Sequence, residues 1–330
     1  MLGWAGTVRT YHPIKETLDG LTWDGQDHIW RLATYFKDVH VDLFPETDWR
    51  RKIGAPAFGT FLIYWLVNAV ARIYQPRLVR TTMLVLASRP QLIGKSKFCQ
   101  WLASPFPGYF HEAAIDPDDK DHALRSADKF IWEVSELEST TTRKDVGALK
   151  AFITRAEVTE RPAYGRHPVV LPTMANYIGT VNIEQGRGFL VDRTGSTRFM
   201  VCELETIDWR GYIAAIDPVQ VWAQALALYR QGKPTELVGF DAQLRAKINK
   251  EHEAAPASAD FVPEIVQVTG NEGDFLTPAK IIEKMRERGY PVSATTARDI
   301  GIYLSSIGVK SDRRRINGQK VTVYLGVILL

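Results

Sequence analysis

The stretch TTMLVLASRPQLIGKSKFCQWL, residues 81–102, joins an apolar run to the sequence Gly-Lys-Ser and an amphipathic segment. Thr81–Ala87 is largely apolar and ends at Ser-Arg-Pro, a pattern typical of a strand buried in a parallel sheet. We expect a helix to follow over Lys95–Leu102. A strand, a turn, Gly-Lys-Ser and a helix in this order predict a phosphate-binding loop.

The three residues Gly94-Lys95-Ser96 have the chemistry that such a loop needs. Backbone N–H groups at a helix N-terminus hold phosphate, a lysine reaches the terminal phosphates and a hydroxyl binds Mg²⁺. The full motif, G-x-x-x-x-G-K-[ST], has glycine where this chain has Arg89. An ordinary helix start is the alternative, because glycine and serine are common at N-caps.

Two more apolar runs follow, Lys129–Val134 and Ala175–Val181, and each predicts a strand. Between them, Asp145–Phe152 has apolar residues at helical spacing. Strands that alternate with helices indicate an α/β sheet. Upstream, Trp49–Tyr74 is expected to be mostly helical and buried, so a helical N-terminal portion should pack on that sheet.

Polar side chains lie at the ends of these two strands. Glu133 and Glu136 could hold a metal ion or polarise water, and Asn182 follows the third strand. Ligands of open α/β folds bind at the carboxyl ends of the strands, where all three would lie. Each residue alone also fits a commoner role, as a solvated acid or a turn residue.

Composition indicates a soluble, unexported protein. The chain has 330 residues, of which 45% are hydrophobic and 24% charged, which excludes collagen-like and wholly disordered classes. The longest apolar stretch, Phe58–Val70, is too short to cross a bilayer. Cys99 and Cys202 form neither a disulfide framework nor a paired metal motif, so we expect a cytoplasmic location.

The chain is expected to have four parts. A helical N-terminal portion over 1–78 precedes an α/β core over 79–250. The linker at 251–264 contains Ala-Ala-Pro-Ala-Ser-Ala-Asp, and a terminal unit spans 265–330. Charge supports this division: the net charge is +3 overall, but the segment 280–320 has ten bases and four acids. A basic terminal unit favours contact with nucleic acid.

The terminal unit has the pattern of two helices followed by a hairpin. The first helix opens with Thr277-Pro278, the second with Ser293-Ala294-Thr295-Thr296, and Asn317-Gly318 is a strong hairpin signal. This order resembles a winged helix-turn-helix. Residues Thr295, Thr296 and Arg298 would then approach the major groove of double-stranded DNA, and a basic group would hold phosphates: Arg313, Arg314, Arg315 and Lys320. Winged helices also bind proteins, which is the alternative.

Six motifs in unbroken order resemble the virulence-associated protein E family of P-loop proteins, which is similar to the superfamily 3 helicases of phage and mobile-element replication. Besides the phosphate loop they are Tyr11-His12-Pro13-Ile14-Lys15 with Leu21-Thr22-Trp23-Asp24-Gly25, Trp132-Glu133-Val134-Ser135-Glu136-Leu137, Lys150-Ala151-Phe152-Ile153-Thr154, Arg161-Pro162-Ala163-Tyr164-Gly165-Arg166, and Gly179-Thr180-Val181-Asn182 with Thr194-Gly195-Ser196-Thr197-Arg198-Phe199. The resemblance implies an AAA+-like ATPase core with ATP and Mg²⁺ as cofactors.

The resemblance also implies a role for each matching residue. Lys95 and Ser96 would be the Walker A lysine and magnesium hydroxyl, and Glu133 and Glu136 the Walker B acids. Asn182 would position the attacking water, and Arg198 would be an arginine finger acting on a neighbouring subunit of a ring, expected to be a hexamer. The alternative for Arg198 is an ion pair with Glu203 or Glu205 of its own chain.

A predicted hairpin before the third strand is the expected contact with single-stranded DNA. In superfamily 3 helicases a hairpin in this place lines the central pore. The residues that would supply charge and stacking are Arg161, Tyr164, Arg166 and His167. A solvated loop with arginines paired to nearby acids is the alternative.

The phosphate loop departs from the family at Arg89 and Leu92, which replace glycines. A Cβ at such positions costs on the order of 1 kcal/mol where the backbone needs φ > 0, and it can block the approach of phosphate to the loop. The main hypothesis is an ATP-dependent helicase or replication initiator of a phage, plasmid or genomic island. Alternatives are a non-hydrolysing DNA-binding or assembly module, and a regulator whose core only oligomerises. Relatives often carry an upstream primase-like domain, and the sequence leaves open whether one is missing here.

Overall fold

The structure is a computed structural model that describes residues 12–77, 81–135, 137, 143–160, 167–183, 190, 196–253, 261–292, 296–316 and 318–330. The chain divides into two compact units, Met1–Glu253 and Ala254–Leu330. In the first unit the helices and strands are α1 Pro13–Asp19, α2 His28–Ala33, β1 Phe36–Asp38, α3 Pro56–Tyr74, β2 Met83–Ser88, α4 Lys95–Ala103, β3 Phe110–Glu112, α5 Lys120–Asp128, β4 Ile131–Val134, α6 Arg143–Ile153, β5 Glu157–Glu160, β6 Val169–Pro172, β7 Asn176–Asn182, β8 Phe199–Ile207, α7 Trp209–Ala215, α8 Pro218–Arg230 and α9 Gly239–Glu251.

The first unit is built on a six-stranded sheet with the order β1-β8-β2-β7-β4-β3. β8, β2, β7, β4 and β3 are parallel, and only β1 is antiparallel to its neighbour β8. This confirms the prediction of a mixed α/β fold with a mostly parallel sheet. β2 and β4 are not adjacent, because β7 inserts between them and pairs with both.

Helix α3 forms the centre of the packing against this sheet. Its residues from Pro56 to Ile73 are all buried, as expected for a helix that is apolar on every side. Its length and composition would allow it to cross a membrane, but 94% of an 18-residue stretch of the helix is buried inside the protein. It is therefore a core helix. The apolar stretch Phe58–Val70 lies within it.

A fully buried arginine on α3 holds the segment that leads into β7. The guanidinium of Arg72 donates to Ala175 O at 2.6 Å and to Thr173 O at 2.8 Å, and it also bonds the hydroxyl of Thr81 before β2. Burial lowers the pKa of Arg72 to about 10. These bonds satisfy the carbonyl groups of Thr173 and Ala175, which precede β7, and connect them to Thr81, which precedes β2. Arg72 therefore fixes the position at which β2 and β7 enter the sheet.

Strands β5 and β6 form a separate antiparallel hairpin, with Glu157 opposite Pro172 and Glu160 opposite Val169. The side chains of β6 are exposed along the whole strand, including Val169, Val170 and Leu171. Apolar side chains on both faces of an exposed hairpin are unusual for a solvated loop. The sequence predicted a hairpin at this point in the chain.

The second unit contains β9 Val266–Val268, β10 Phe275–Leu276, α10 Pro278–Glu287, α11 Thr296–Ser306, β11 Ser311–Ile316, β12 Gln319–Leu325 and β13 Val327–Leu329. Thr277 caps α10 by accepting from Lys280 N at 3.3 Å. β11 and β12 pair antiparallel up to Ile316 opposite Gln319, with Gly318 at φ 82° between them. The two helices pack on this sheet through a core of their own that includes Ile281, Met285 and Leu304.

Candidate nucleotide-binding site

The loop between β2 and α4 reaches the helix through two residues in the left-handed region. Leu92 has φ 59° and Gly94 has φ 104°. Leu92 is the single non-glycine residue with positive φ in the described part of the chain, and its side chain is 98% exposed. Any other residue at Gly94 would be strained by the positive φ, and its Cβ would lie 3.0 Å from Trp209 Cδ1. The loop thus keeps, at Leu92, a backbone shape that favours glycine.

Lys95 is the first residue of α4, and its ammonium group lies at the carboxyl edge of the sheet. Its Nζ donates to Ser88 Oγ at 2.6 Å, to Val181 O at 2.8 Å and to Asn182 Oδ1 at 2.9 Å. The charge therefore joins the end of β2 to the end of β7, which pair side by side. The sequence placed Lys95 and Asn182 at one sheet edge, and the structure brings them into contact.

Ser96 and Glu133 form a second contact at this edge. Ser96 Oγ donates to Glu133 Oε1 at 2.6 Å, and Thr180 Oγ1 lies 3.3 Å from the same oxygen. Burial raises the pKa of Glu133 above its ordinary value, and the hydrogen bond from Ser96 offsets part of that effect. Glu133 Oε2 is buried and has no hydrogen-bond partner among the described residues. A buried carboxylate oxygen without a hydrogen-bond partner is suited to bind a cation.

A cleft of about 330 Å³ opens over these groups. It is lined by Leu92, Ile93, Gly94, Lys95, Ser96, Lys97, Ser135, Thr180 and Asn182. Sequence analysis gave no role to Ser88, Thr180 or Ser135. Thr180 could have been found from its spacing, because residues two apart on a strand share a face and Asn182 is two residues on.

Arg89 is bound by an acid on β8. Its Nε lies 2.9 Å from Glu203 Oε1, and the side chain of Arg89 is 65% exposed while that of Glu203 is 9% exposed. An arginine at this position was expected to obstruct phosphate. The ion pair instead engages its guanidinium with β8, so the departure from glycine has a partner in the fold.

Arg198 lies at the opposite edge of the sheet from Lys95. It immediately precedes β8, whose first residue, Phe199, pairs with Met83 at the start of β2. Five residues of strand separate Met83 from Ser88, which is about 17 Å. Neither acid named as an alternative partner is paired with Arg198: Glu203 binds Arg89, and Glu205 binds Lys37.

Several predicted site residues lie outside the described residues, namely Glu136, Arg161, Tyr164, Arg166 and Thr295. His167, which lies before β6 in sequence, is described and exposed. Strand β6 pairs with β5 and not with the strands that carry the carboxyl-edge groups.

The basic residues of the second unit fall on more than one surface. Arg298 is exposed on α11, whereas Thr296 is 4% exposed, so the expectation that Thr296 faces DNA is wrong. Arg313 and Arg315 alternate with Arg314 along β11 and therefore share a face. Lys320 is directly opposite Arg315 on β12. Arg314 stacks on Phe275, with its guanidinium 4.9 Å from the ring centre.

Comparisons with known proteins agree with the family resemblance. The model of the virulence-associated protein E-like domain matches residues 18–254. No curated protein matches the chain. Similar solved structures include the apo NrS-1 C-terminal region, with 14% identity, a TM-score of 0.48 and coverage of 96% of this chain and 79% of that one. Another is described as the SCCmec type IV Cch active helicase, with 10% identity, a TM-score of 0.42 and coverage of 83% and 67%.

Proposed function

Because this chain belongs to the virulence-associated protein E-like family, we propose that it is an ATP-dependent DNA helicase or replication initiator of a phage, plasmid or genomic island. One observation carries the proposal. Lys95, Ser96, Glu133 and Asn182, which come from three different parts of the chain, meet at the carboxyl edge of one sheet. Ligands of open α/β folds bind at this edge.

ATP would occupy the cleft with its phosphates against the start of α4. Backbone N–H groups of the first turn have no partners within the helix, and the helix dipole favours negative charge there. Lys95 would exchange the neutral oxygens of Ser88, Val181 and Asn182 for phosphate oxygens, which are better acceptors for an ammonium group. Asn182, released by that exchange, would orient the attacking water.

The residues present fit a magnesium ion. Mg²⁺ prefers oxygen ligands and is usually held in nucleotide sites by one or two protein groups together with phosphates. The Ser96 hydroxyl and the buried Glu133 carboxylate supply such oxygens, and Glu133 Oε2 has no hydrogen-bond partner in the described part of the chain. When bound, Mg²⁺ supplies positive charge that offsets the charge developing on the phosphates.

A ring of subunits, a hexamer by family likeness, is part of the proposal. Arg198 is too far along the sheet to reach a phosphate held by Lys95 in the same chain. A neighbouring subunit that placed its site against this edge would receive Arg198 as an arginine finger. Arg245 Nη1 donates to Thr197 O at 3.0 Å, which supports the backbone just before Arg198.

DNA would be contacted at two places. The hairpin β5–β6 would follow single-stranded DNA in the pore, together with the residues that lie between its strands in sequence and supply charge and stacking: Arg161, Tyr164, Arg166 and His167. The second unit would bind double-stranded DNA as a winged helix, through Arg298 and the basic face of β11 and β12. The order of two helices and a hairpin, and the net positive charge of this segment, support that reading.

The proposed organisation is a helical N-terminal portion over 1–78, an AAA+-like core over 79–253, a linker from 254 and a winged helix over 265–330. The linker begins later than the expected residue 251, because α9 runs to Glu251 and His252 is buried in the first unit. Glu136, as the second Walker B acid, and a cytoplasmic location belong to the same proposal.

ATP turnover by the purified chain, with and without single-stranded DNA, tests the proposal. We expect Mg²⁺-dependent hydrolysis that DNA stimulates and that Lys95→Ala abolishes. Wild-type protein that neither binds nor hydrolyses ATP would overturn it.

A non-hydrolysing DNA-binding or assembly module is the second candidate. The observation that favours it is Leu92, a side chain held at φ 59° where the family has glycine. Under this alternative the chain would bind DNA and oligomerise with no dependence on ATP. A regulator with an oligomerising core would bind one operator sequence in the same assay.

A further inference from the structure

A buried cluster of two histidines and one glutamate lies away from the nucleotide cleft. One ligand atom from each of His40, Glu203 and His252 lies within 4.8 Å of the other two. The three residues are 4%, 7% and 5% exposed. His252 Nε2 is 3.5 Å from Glu203 Oε2. Ligand atoms around a tetrahedral ion with bonds of about 2.1 Å are separated by roughly 3.4 Å, so this pair already has the required spacing.

Backbone contacts bring the three residues together from distant parts of the chain. Val39 N donates to Glu203 O at 3.0 Å, which places His40 beside β8. His252 is the C-cap residue that follows α9. His40 N donates to Asp38 Oδ1 at 3.0 Å, which fixes the turn after β1. The cluster therefore joins the end of β1, the middle of β8 and the end of α9.

The hydrogen bonding of His40 suits a metal ligand. Its Nε2 lies 3.2 Å from Glu251 Oε2, and this carboxylate can accept the N–H of the ring. The lone pair is then on Nδ1, which is buried and has no hydrogen-bond partner among the described residues. A carboxylate that accepts from one nitrogen while the other binds metal is the usual arrangement around ligating histidines.

Glu203 is oriented in a similar way. Arg89 holds Oε1, which leaves Oε2 toward His252. An ion pair between Glu203 and His252 is the competing explanation for their contact. Burial, and then the neighbouring His40, lower the pKa of His252 to about 4. Arg89 already forms an ion pair with the other oxygen of Glu203, so the carboxylate has a cationic partner without His252.

We propose that His40, Glu203 and His252 bind a transition-metal dication of the Zn²⁺ class. Two imidazoles and one carboxylate suit Zn²⁺, whereas Mg²⁺ prefers oxygen ligands alone. The ion would link β1, β8 and α9. Since Arg89 shares Glu203 with this cluster, the ion would also stabilise the residue that opens the phosphate loop.

Metal titration of the wild-type chain, freed of metal by a chelator and without nucleotide, tests this proposal. We expect one equivalent of Zn²⁺ per chain, a higher Tm on loading, and a Co²⁺ derivative with the intense visible absorption of a tetrahedral site. His252→Gln and Glu203→Gln should abolish binding. Glu251→Gln, which removes only the orienting carboxylate, should weaken it by about 10- to 100-fold.

Two controls separate this site from others. His122→Gln removes a histidine that is likewise near a carboxylate, at 3.8 Å from Asp119, but is not in the cluster, and it should bind Zn²⁺ like wild type. Lys95→Ala should also bind Zn²⁺ normally, so the metal site can fail or succeed independently of the ATPase proposal.

Failure of folded wild-type protein to take up Zn²⁺ or Co²⁺ at micromolar concentrations would overturn the proposal, whatever the variants do. So would uptake that His252→Gln, shown by circular dichroism to be folded, leaves unchanged. If His252→Gln does not fold, the decision rests on wild type and Glu251→Gln: unchanged affinity in Glu251→Gln counts against the site.

Discussion

Ser96 Oγ lies 2.6 Å from Glu133 Oε1, so the first turn of α4 is hydrogen-bonded to the last part of β4. Both residues are next to β7, which inserts between β2 and β4 and adds Thr180 to the same carboxylate oxygen. The hydroxyl and the acid that a magnesium site requires are thus adjacent before any ligand binds.

Lys95→Ala should reduce ATP hydrolysis to background. The lysine is the one cation that joins the ends of β2 and β7 at the cleft in the described chain, and its removal takes away the charge that would meet phosphate. Steady-state ATPase assays with single-stranded DNA measure the effect. Lys129→Ala is the control, because Lys129 also donates to a carbonyl oxygen, Gly108 O at 3.0 Å, but precedes β4 at the other edge. Equal loss in both variants would indicate a general folding effect.

Glu133→Gln should abolish hydrolysis and at the same time stabilise the fold. Its pKa is raised by burial, so the native state disfavours the carboxylate relative to the unfolded chain. The free energy of unfolding of the wild type should therefore fall as the pH rises through the titration of Glu133. A glutamine stays neutral, so the variant should not show this fall. In metal-free buffer, urea unfolding should show the variant to be more stable at pH 7 and similar to wild type at acid pH. Glu205→Gln, on the surface of β8, should change neither activity nor this pH dependence.

Leu92→Asn should raise the free energy of unfolding by about 1 kcal/mol. Asparagine tolerates the left-handed region, whereas a leucine there costs roughly 1–2 kcal/mol. The side chain of Leu92 is 98% exposed, so its loss removes little buried apolar area. Urea denaturation measures the difference, and Leu92→Ala is the control that keeps a strained residue. Identical stabilities for the alanine and asparagine variants would argue against a left-handed residue at this position.

Arg198→Ala and Lys95→Ala should each be inactive alone and recover partial ATPase activity when mixed. Mixed rings contain some interfaces with an intact loop facing an intact Arg198. Removal of an arginine finger lowers rates by roughly 10³- to 10⁵-fold. Arg230→Ala, which only breaks a surface pair with Asp19, serves as the control and should be active alone. The assignment is wrong if Arg198→Ala is nearly as active as wild type, or if subunits demonstrably exchange and no activity returns.

Replacement of Arg313, Arg315 and Lys320 by alanine should weaken binding to double-stranded DNA and flatten its salt dependence. These three share one exposed face of β11 and β12. Each phosphate contact contributes about −0.9 to the slope of log affinity against log salt, so the slope should fall by up to about 3. Arg314→Ala is the matched control, because Arg314 stacks on Phe275 and should change the slope least. An unchanged slope in the triple variant would assign this face to protein contacts.

Local features of the molecule were readable from the sequence. The strand, the turn and the helix at residues 81–102 were predicted within two residues of their observed bounds, because a buried apolar run and a Gly-Lys-Ser helix start are signals carried by neighbouring residues. The same holds for α10, which begins after its Thr277 cap, and for the hairpin around Gly318. Glu133 and Asn182 lie at one sheet edge as expected, because the carboxyl ends of parallel strands lie together.

Only the tertiary structure decided which side chains touch. The placement of β7 between β2 and β4 brings Lys95 to Asn182, and no local pattern encodes the order of strands in a sheet. Arg89 finds Glu203 across 114 residues of chain, which converts a suspected obstruction into an ion pair. The partnership of His40 and Glu251 spans 211 residues. Such contacts follow from long-range packing of helices and strands, whose free energy depends on the whole core rather than on the residues adjacent in sequence.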